Sequence, residues 1–325
     1  MAILLCISAL ATLGWTTAAT ANSPSGVEIA GARTPAAPAA PSGPAAPPPG
    51  PRERDAWQPS PIAVAGRQSQ DPAWREVTFH SDALNRDMPY LVWLPPGYER
   101  STVRYPTLYL LHGAGDGAAA GRFEWQGLGV AKVMSDLLAQ GTVQPMIIIL
   151  PEGEQGYWIN QANNGPRWAD YVARDVVAHV DRTFQTDPRP TRRAIGGLSM
   201  GGHGSMQLAL NYPDVFRIAG PHTPSIRDYE QSPPFFGDPA WYARYDPRAL
   251  ARNSGAARGL TAWVDFGTRD RLRKGAQELA DALQAGGAKV EVHTPDGAHE
   301  GAYWRAHIPD YLRFYSQALG GPTSK

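Results

Sequence analysis

What this chain has little of narrows its chemistry first. Cys6 is the only cysteine in 325 residues, so no intramolecular disulfide can staple the fold. Charge of one sign is not in excess: 30 basic side chains face 30 acidic ones, which argues against nucleic acid or another polyanion as partner. After the first twenty residues no apolar run approaches the roughly eighteen needed for a membrane span, so no integral membrane domain is expected. An HExxH zinc motif is missing, since HEGAY at His299–Tyr303 lacks the second histidine. The glycine patterns that cradle phosphates are missing too. No metal, nucleotide or other cofactor is therefore expected. What is present is a chain 42% hydrophobic, long enough to bury a large core.

The first seventy residues differ in kind from the rest. Ile3–Trp15 is apolar, and Ala19-Thr20-Ala21 offers the small-x-small pattern of a signal peptidase site. Residues 1–21 read as an export leader, although no Lys or Arg precedes the apolar segment, and a secreted, periplasmic or cell-envelope location is the expectation. Residues 22–70 are rich in Pro and Ala, as in TPAAPAAPSGPAAPPPGP, without apolar periodicity. Such a segment cannot bury enough surface to offset its ordering entropy, and it reads as a disordered, extended linker without chemistry. One domain is expected over residues 71–319, with a short tail at 320–325.

Within that domain, WREVTFHS and MPYLVWLP alternate apolar and polar residues and predict a strand pair turning near Asn85 and Arg86. Four short apolar runs follow, TLYLLH, MIIILP, RAIGGL and LTAWVDFG, with KVEVHTP as the last strand. Helix-like stretches separate them, at Val130–Ala139, Trp168–Phe184, Gly202–Leu210 and Gln277–Ala285, and Tyr303–Leu319 closes the chain as an amphipathic helix. Strands buried on both faces look like this. Their alternation with helices predicts an α/β architecture with a mostly parallel central sheet and helices on both faces.

In that frame IGGLSMGGHG, Ile195–Gly204, falls between a buried strand and a helix. Gly197-Leu198-Ser199-Met200-Gly201 satisfies G-x-S-x-G in the strand-turn-helix context of a nucleophile elbow, where glycines let the turn be sharp enough to expose the serine. A serine hydroxyl is a weak nucleophile and needs a base oriented by a carboxylate. For chain order Ser, acid, His, the base candidate is His299, in the loop just past the last strand. His203 and His307 fall on helices, His293 within a strand, and His222 comes too early to follow an acid. WVDFGTRDRL offers two acids. Asp270, in the loop beyond the strand, is favoured, and Asp265, near the strand end, is read as holding the loop through backbone hydrogen bonds. Oxyanion donors are expected from the amide of Met200 and from HGAGDG after TLYLLH, where His112-Gly113 points to the Ala114 amide, with Gly115 the alternative.

The segments LYLLHGAGD, ILPEG, WADYVARDVVAHVDRTF, RRAIGGLSMGGHGSMQLALNYPDVF, VDFGTRD and DGAHEGAYW together resemble the putative-esterase family of the α/β-hydrolase superfamily. That family includes esterase D (S-formylglutathione hydrolase), feruloyl and acetylxylan esterases, enterochelin esterases and bacterial mycolyltransferases. The resemblance implies an α/β-hydrolase fold, Ser199, Asp270 and His299 as triad, and Ala114 with Met200 at the oxyanion hole. The segment from Ile218 to Leu250 is this chain's own, as is the GAHEGAYW form of the histidine loop. A serine esterase acting on an extracytoplasmic carbohydrate, small aromatic or other acyl ester is the leading expectation. The alternatives are an acyltransferase of mycolyltransferase type and, third, a binding module on a hydrolase fold. Trp125, Tyr157, Trp158 and Trp168, with Phe235, Phe236, Trp241, Tyr242 and Tyr245, are candidates either for a substrate cleft or for core packing.

Overall fold

The computed structural model describes residues 74–115 and 121–322; the expected leader and linker and the last three residues lie outside these. Eight strands form one sheet: β1 (Trp74–Ser81), β2 (Arg86–Trp93), β3 (Thr107–Leu111), β4 (Ile147–Pro151), β5 (Arg193–Leu198), β6 (Ile218–His222), β7 (Thr261–Asp265) and β8 (Lys289–His293). Their spatial order is β1-β2-β4-β3-β5-β6-β7-β8. β1 pairs antiparallel with β2 and β2 with β4, and every pairing from β4 to β8 is parallel. The described helices are α1 (Glu124–Gly127), α2 (Val130–Ala139), α3 (Trp168–Asp170), α4 (Val177–Thr183), α5 (Met200–Asn211), α6 (Pro239–Ala243), α7 (Pro247–Asn253), α8 (Arg273–Ala285) and α9 (Gly301–Ala318). This is the α/β-hydrolase fold.

Side chains on successive strand residues point to opposite faces, and both faces here are covered. Tyr109, Leu111, Ile147, Ile149 and Ile195 pack on one side under α4, α5, α7 and α8. Leu108, Leu110, Ile148, Leu150 and Ala194 pack on the other under α1, α2 and α9. Fully apolar runs were needed for strands sandwiched in this way. β6 is a less obvious strand in sequence, because IAGPH carries Gly and Pro, yet all five of its residues are buried.

Local differences from the sequence reading have physical causes. The single helix expected over Trp168–Phe184 is interrupted by a π-helical stretch at Tyr171–Val176. At its entry Asn160 Oδ1 accepts from the amides of Ala169 and Asp170, which fixes the first turn independently of the helix beyond it. α5 begins at Met200, two residues before the expected Gly202. Gly201 reads as a turn residue in sequence, but its Cα lies against β3: a methyl group there would meet the Leu111 carbonyl oxygen at 2.3 Å.

The order of strands also locates the site. From β3 the chain crosses to β4 on one side, and from β4 it crosses back to β5 on the other. The loops leaving β3 and β5 therefore diverge at a topological switch point, where open α/β sheets leave a crevice at the carboxyl ends of their strands.

Candidate active site

Ser199 occupies that crevice directly after β5. Its backbone is held at φ 54° and ψ −112°, a left-handed conformation costly for a residue with a Cβ. Backbone hydrogen bonds impose it: the Ser199 amide donates to the His222 carbonyl at 3.0 Å, and the Ser199 carbonyl accepts from Ser225 at 2.8 Å and His203 at 3.1 Å. Close approach completes the constraint, since a methyl group on Gly197 would sit 2.4 Å from the Gly201 carbonyl oxygen. The turn lifts the hydroxyl out of the sheet.

His299, in the loop between β8 and α9, places Nε2 2.8 Å from Ser199 Oγ and Nδ1 3.0 Å from Asp270 Oδ2. Asp270 follows β7, is fully buried, and accepts the Leu272 amide on its other oxygen at 2.7 Å. With Nδ1–H donating to the carboxylate, Nε2 is left as the acceptor for the serine proton. One further side chain meets the imidazole, and a second fixes that side chain in turn. The Trp304 ring meets it edge-on at 5.2 Å, and Trp304 Nε1 donates to Thr223 Oγ1 at 2.8 Å. Thr223 is itself at φ 43°, a rare angle for a β-branched residue.

Asp265 has a different role from the one read in sequence. Its carboxylate accepts from four side chains: His222 Nδ1 at 2.7 Å, Trp263 Nε1 at 3.1 Å, Tyr303 OH at 2.9 Å and Tyr311 OH at 2.8 Å. It ties the ends of β6 and β7 to α9 through side chains rather than through the loop backbone. His222, the competing base, is fully buried between Asp265 and Tyr315, whose OH lies 2.8 Å from Nε2. Burial beside this carboxylate pushes the Tyr303 and Tyr311 phenols up, so both stay protonated donors. His203 is buried in the first turn of α5, and burial pushes its imidazole down to about 4.

On the β3 side, the Gly113 amide donates to Glu124 Oε2 at 2.7 Å and the Gly115 amide to the Gly113 carbonyl at 3.1 Å. Gly115 is thus engaged, while the Ala114 amide has no partner among the described residues. Met200, as the first residue of α5, has an amide with no intrahelical acceptor. His112 shapes the loop: Nε2 accepts the Gly153 amide at 2.9 Å, which leaves Nδ1–H to donate to the Gly113 carbonyl at 2.7 Å. Most of the aromatic cluster is core. Trp125, Trp158, Trp168 and Phe236 are buried, and the indoles of Trp125 and Trp158 donate to the carbonyls of Leu111 and His112. Among the described residues no group of three or more His, Cys, Asp or Glu is disposed to hold a metal, and no helix is long and apolar enough to cross a membrane.

The fold and this arrangement define an α/β-hydrolase with a serine, an imidazole and a carboxylate in hydrogen-bonded sequence. The family described as Putative esterase matches residues 81–315, and the chain belongs to that family. It is similar to an esterase of Mycobacterium tuberculosis (strain ATCC 25618 / H37Rv), 25% identical over 273 residues covering 73% of this chain and 58% of that protein. It also resembles an endo-1,4-beta-xylanase/feruloyl esterase of Xylanibacter ruminicola, 26% identical over 241 residues, covering 71% of this chain and 30% of the relative. The chain thus spans little more than half the length of the first of these relatives and less of the second. A solved structure of a ferulic acid esterase superposes with a TM-score of 0.66 at 23% identity, covering 76% of this chain and 98% of that one.

Proposed function

We propose that the protein is a serine carboxylic ester hydrolase working through an acyl-enzyme on Ser199. One observation carries this reading: Oγ, Nε2, Nδ1 and a buried carboxylate form a continuous relay with links of 2.8 and 3.0 Å. His299 Nε2 takes the Ser199 proton as the oxygen attacks the ester carbonyl, and Asp270 stabilises the resulting imidazolium. The amides of Ala114 and Met200 receive the charge that develops on the carbonyl oxygen, and His299 then protonates the departing alcohol. Water enters, gives its proton to the same nitrogen and releases the acid, which restores Ser199. The family match supports ester cleavage, and the two relatives named as feruloyl or ferulic acid esterases favour an aromatic acyl ester of a carbohydrate. An extracytoplasmic substrate follows if the leader read from residues 1–21 directs export.

The test is turnover of short p-nitrophenyl esters and feruloylated sugars by the wild type and by Ser199→Ala. The variant is expected to lose kcat by the order of 10⁴- to 10⁶-fold while melting at the wild-type temperature. Undiminished turnover would reject the assignment.

A further inference from the structure

Beside the relay lies a carboxyl group that the proton transfers do not use. Glu124 opens α1, and its Oε2 accepts the Gly113 amide at 2.7 Å. The Gly113 backbone lies beside the nucleophile: a methyl group added there would lie in ordinary contact with Ser199 Cβ at 3.4 Å and Glu124 Oε2 at 3.5 Å. The next residue, Trp125, donates its indole N–H to the Leu111 carbonyl at 3.0 Å. Two consecutive side chains of one short helix thus grip the chain where it leaves β3. Between Gly113 and Gly115 the amides at both ends are engaged, and only that of Ala114 is free among the described residues.

A neutral side chain could accept one amide equally well, so the choice of an acid in a mostly buried position calls for a reason. Burial pushes the Glu124 carboxyl above its ordinary value, while the hydrogen bond from the Gly113 amide pulls it the other way. Glu124 Oε2 and Ser199 Cβ both lie within 3.5 Å of the space a methyl group on Gly113 would fill, and Ser199 Oγ is 2.8 Å from His299 Nε2, so the carboxylate stands near the imidazole as well as on the peptide. We propose that Glu124 is a positioning residue for ester cleavage: its carboxylate fixes the Gly113 peptide so that the Ala114 amide stays directed at the developing oxyanion, and its charge favours the imidazolium that His299 becomes. The inference rests on the reading of Ser199 and His299 given above. The titratable groups around this peptide are Glu124 on the Gly113 amide and His112 on the Gly113 carbonyl, and His299 meets Asp270 and the Ser199 hydroxyl.

The experiment compares wild type, Glu124→Gln and Glu124→Ala on p-nitrophenyl acetate across pH, together with the rate at which a fluorophosphonate labels Ser199. Glutamine keeps an oxygen for the Gly113 amide and loses the charge; alanine loses both. Glu124→Ala is expected to lose roughly 10- to 100-fold in kcat and in labelling rate with KM within about twofold, as a misaimed oxyanion donor requires. Glu124→Gln is expected to recover most of that rate, with the acid side of its pH–rate profile moved to lower pH because the imidazolium has lost a neighbouring negative charge. Wild-type kcat in Glu124→Ala, or a Glu124→Gln profile superimposable on the wild type, would overturn the proposal. Should Glu124→Ala fail to fold, the Glu124→Gln profile decides alone. Ser199→Ala run alongside separates the two levels: if it is inactive while Glu124→Ala matches wild type, only the role of Glu124 is lost, whereas an active Ser199→Ala removes the hydrolytic reading itself.

Discussion

Four histidines that look alike in sequence are separated by what surrounds them. His299 has a carboxylate on one nitrogen and the Ser199 hydroxyl on the other. His222 has both nitrogens engaged inside the core, and His112 spends its two on backbone groups of neighbouring loops. His203 is buried among the rings of Tyr157 and Phe236, where burial holds it down at about 4. Its consequence is a pH dependence of stability. The unfolded chain binds a proton on this imidazole near pH 6.5, whereas the folded chain refuses it until about pH 4, so stability falls as pH drops through that window. The loss from this one group should be on the order of 3 kcal/mol by the lower end. Thermal melts from pH 7 to 4 should show a shallower decline in His203→Gln than in wild type; parallel declines would contradict the assignment.

At the scale of elements, the end of β7 is where three parts of the fold are tied. Asp265 takes donors from β6, from its own strand and from two turns of α9, three of them buried and the fourth, Trp263, partly buried. Asp265→Ala leaves those donors buried without an acceptor, and it should destabilise the domain by roughly 2 to 4 kcal/mol in denaturant unfolding. An unchanged midpoint would show that water or rearrangement replaces the carboxylate. The sequence presented Asp265 and Asp270 five residues apart and could rank them only by position relative to the strand end. What separates them is which donors arrive from elsewhere in the chain. Strands buried on both faces were legible because their runs are wholly apolar, and the serine turn because motif and context coincide in one short stretch. The contacts of Glu124, Thr223 and Trp304 were not legible, because each joins residues across a loop or far along the chain; even Trp304, inside the quoted DGAHEGAYW segment, gives no local sign of its bond to Thr223. α5 was begun too late in sequence for a related reason: Gly201 signals a turn locally, whereas its closeness to β3 requires glycine within a helix.

For the molecule as a whole, the sheet order decides where chemistry can occur. The switch between β4 and β5 around β3 brings the Gly113 turn at the end of β3 beside the serine after β5. β7 and β8, farther along the same edge, deliver the carboxylate and the imidazole to the same rim. Residues separated by a hundred positions thereby come within one hydrogen bond, as Ser199 and His299 do. The central claim is that this convergence makes Ser199 carry the acyl group between two half-reactions. It is tested most directly by rapid quenching of the enzyme during turnover of a p-nitrophenyl ester, followed by mass spectrometry of the intact chain and its peptides. The expected result is one acyl increment, located on the peptide containing Ser199 and absent from Ser199→Ala. Turnover with no acyl increment, or with the increment on another residue, would contradict the account.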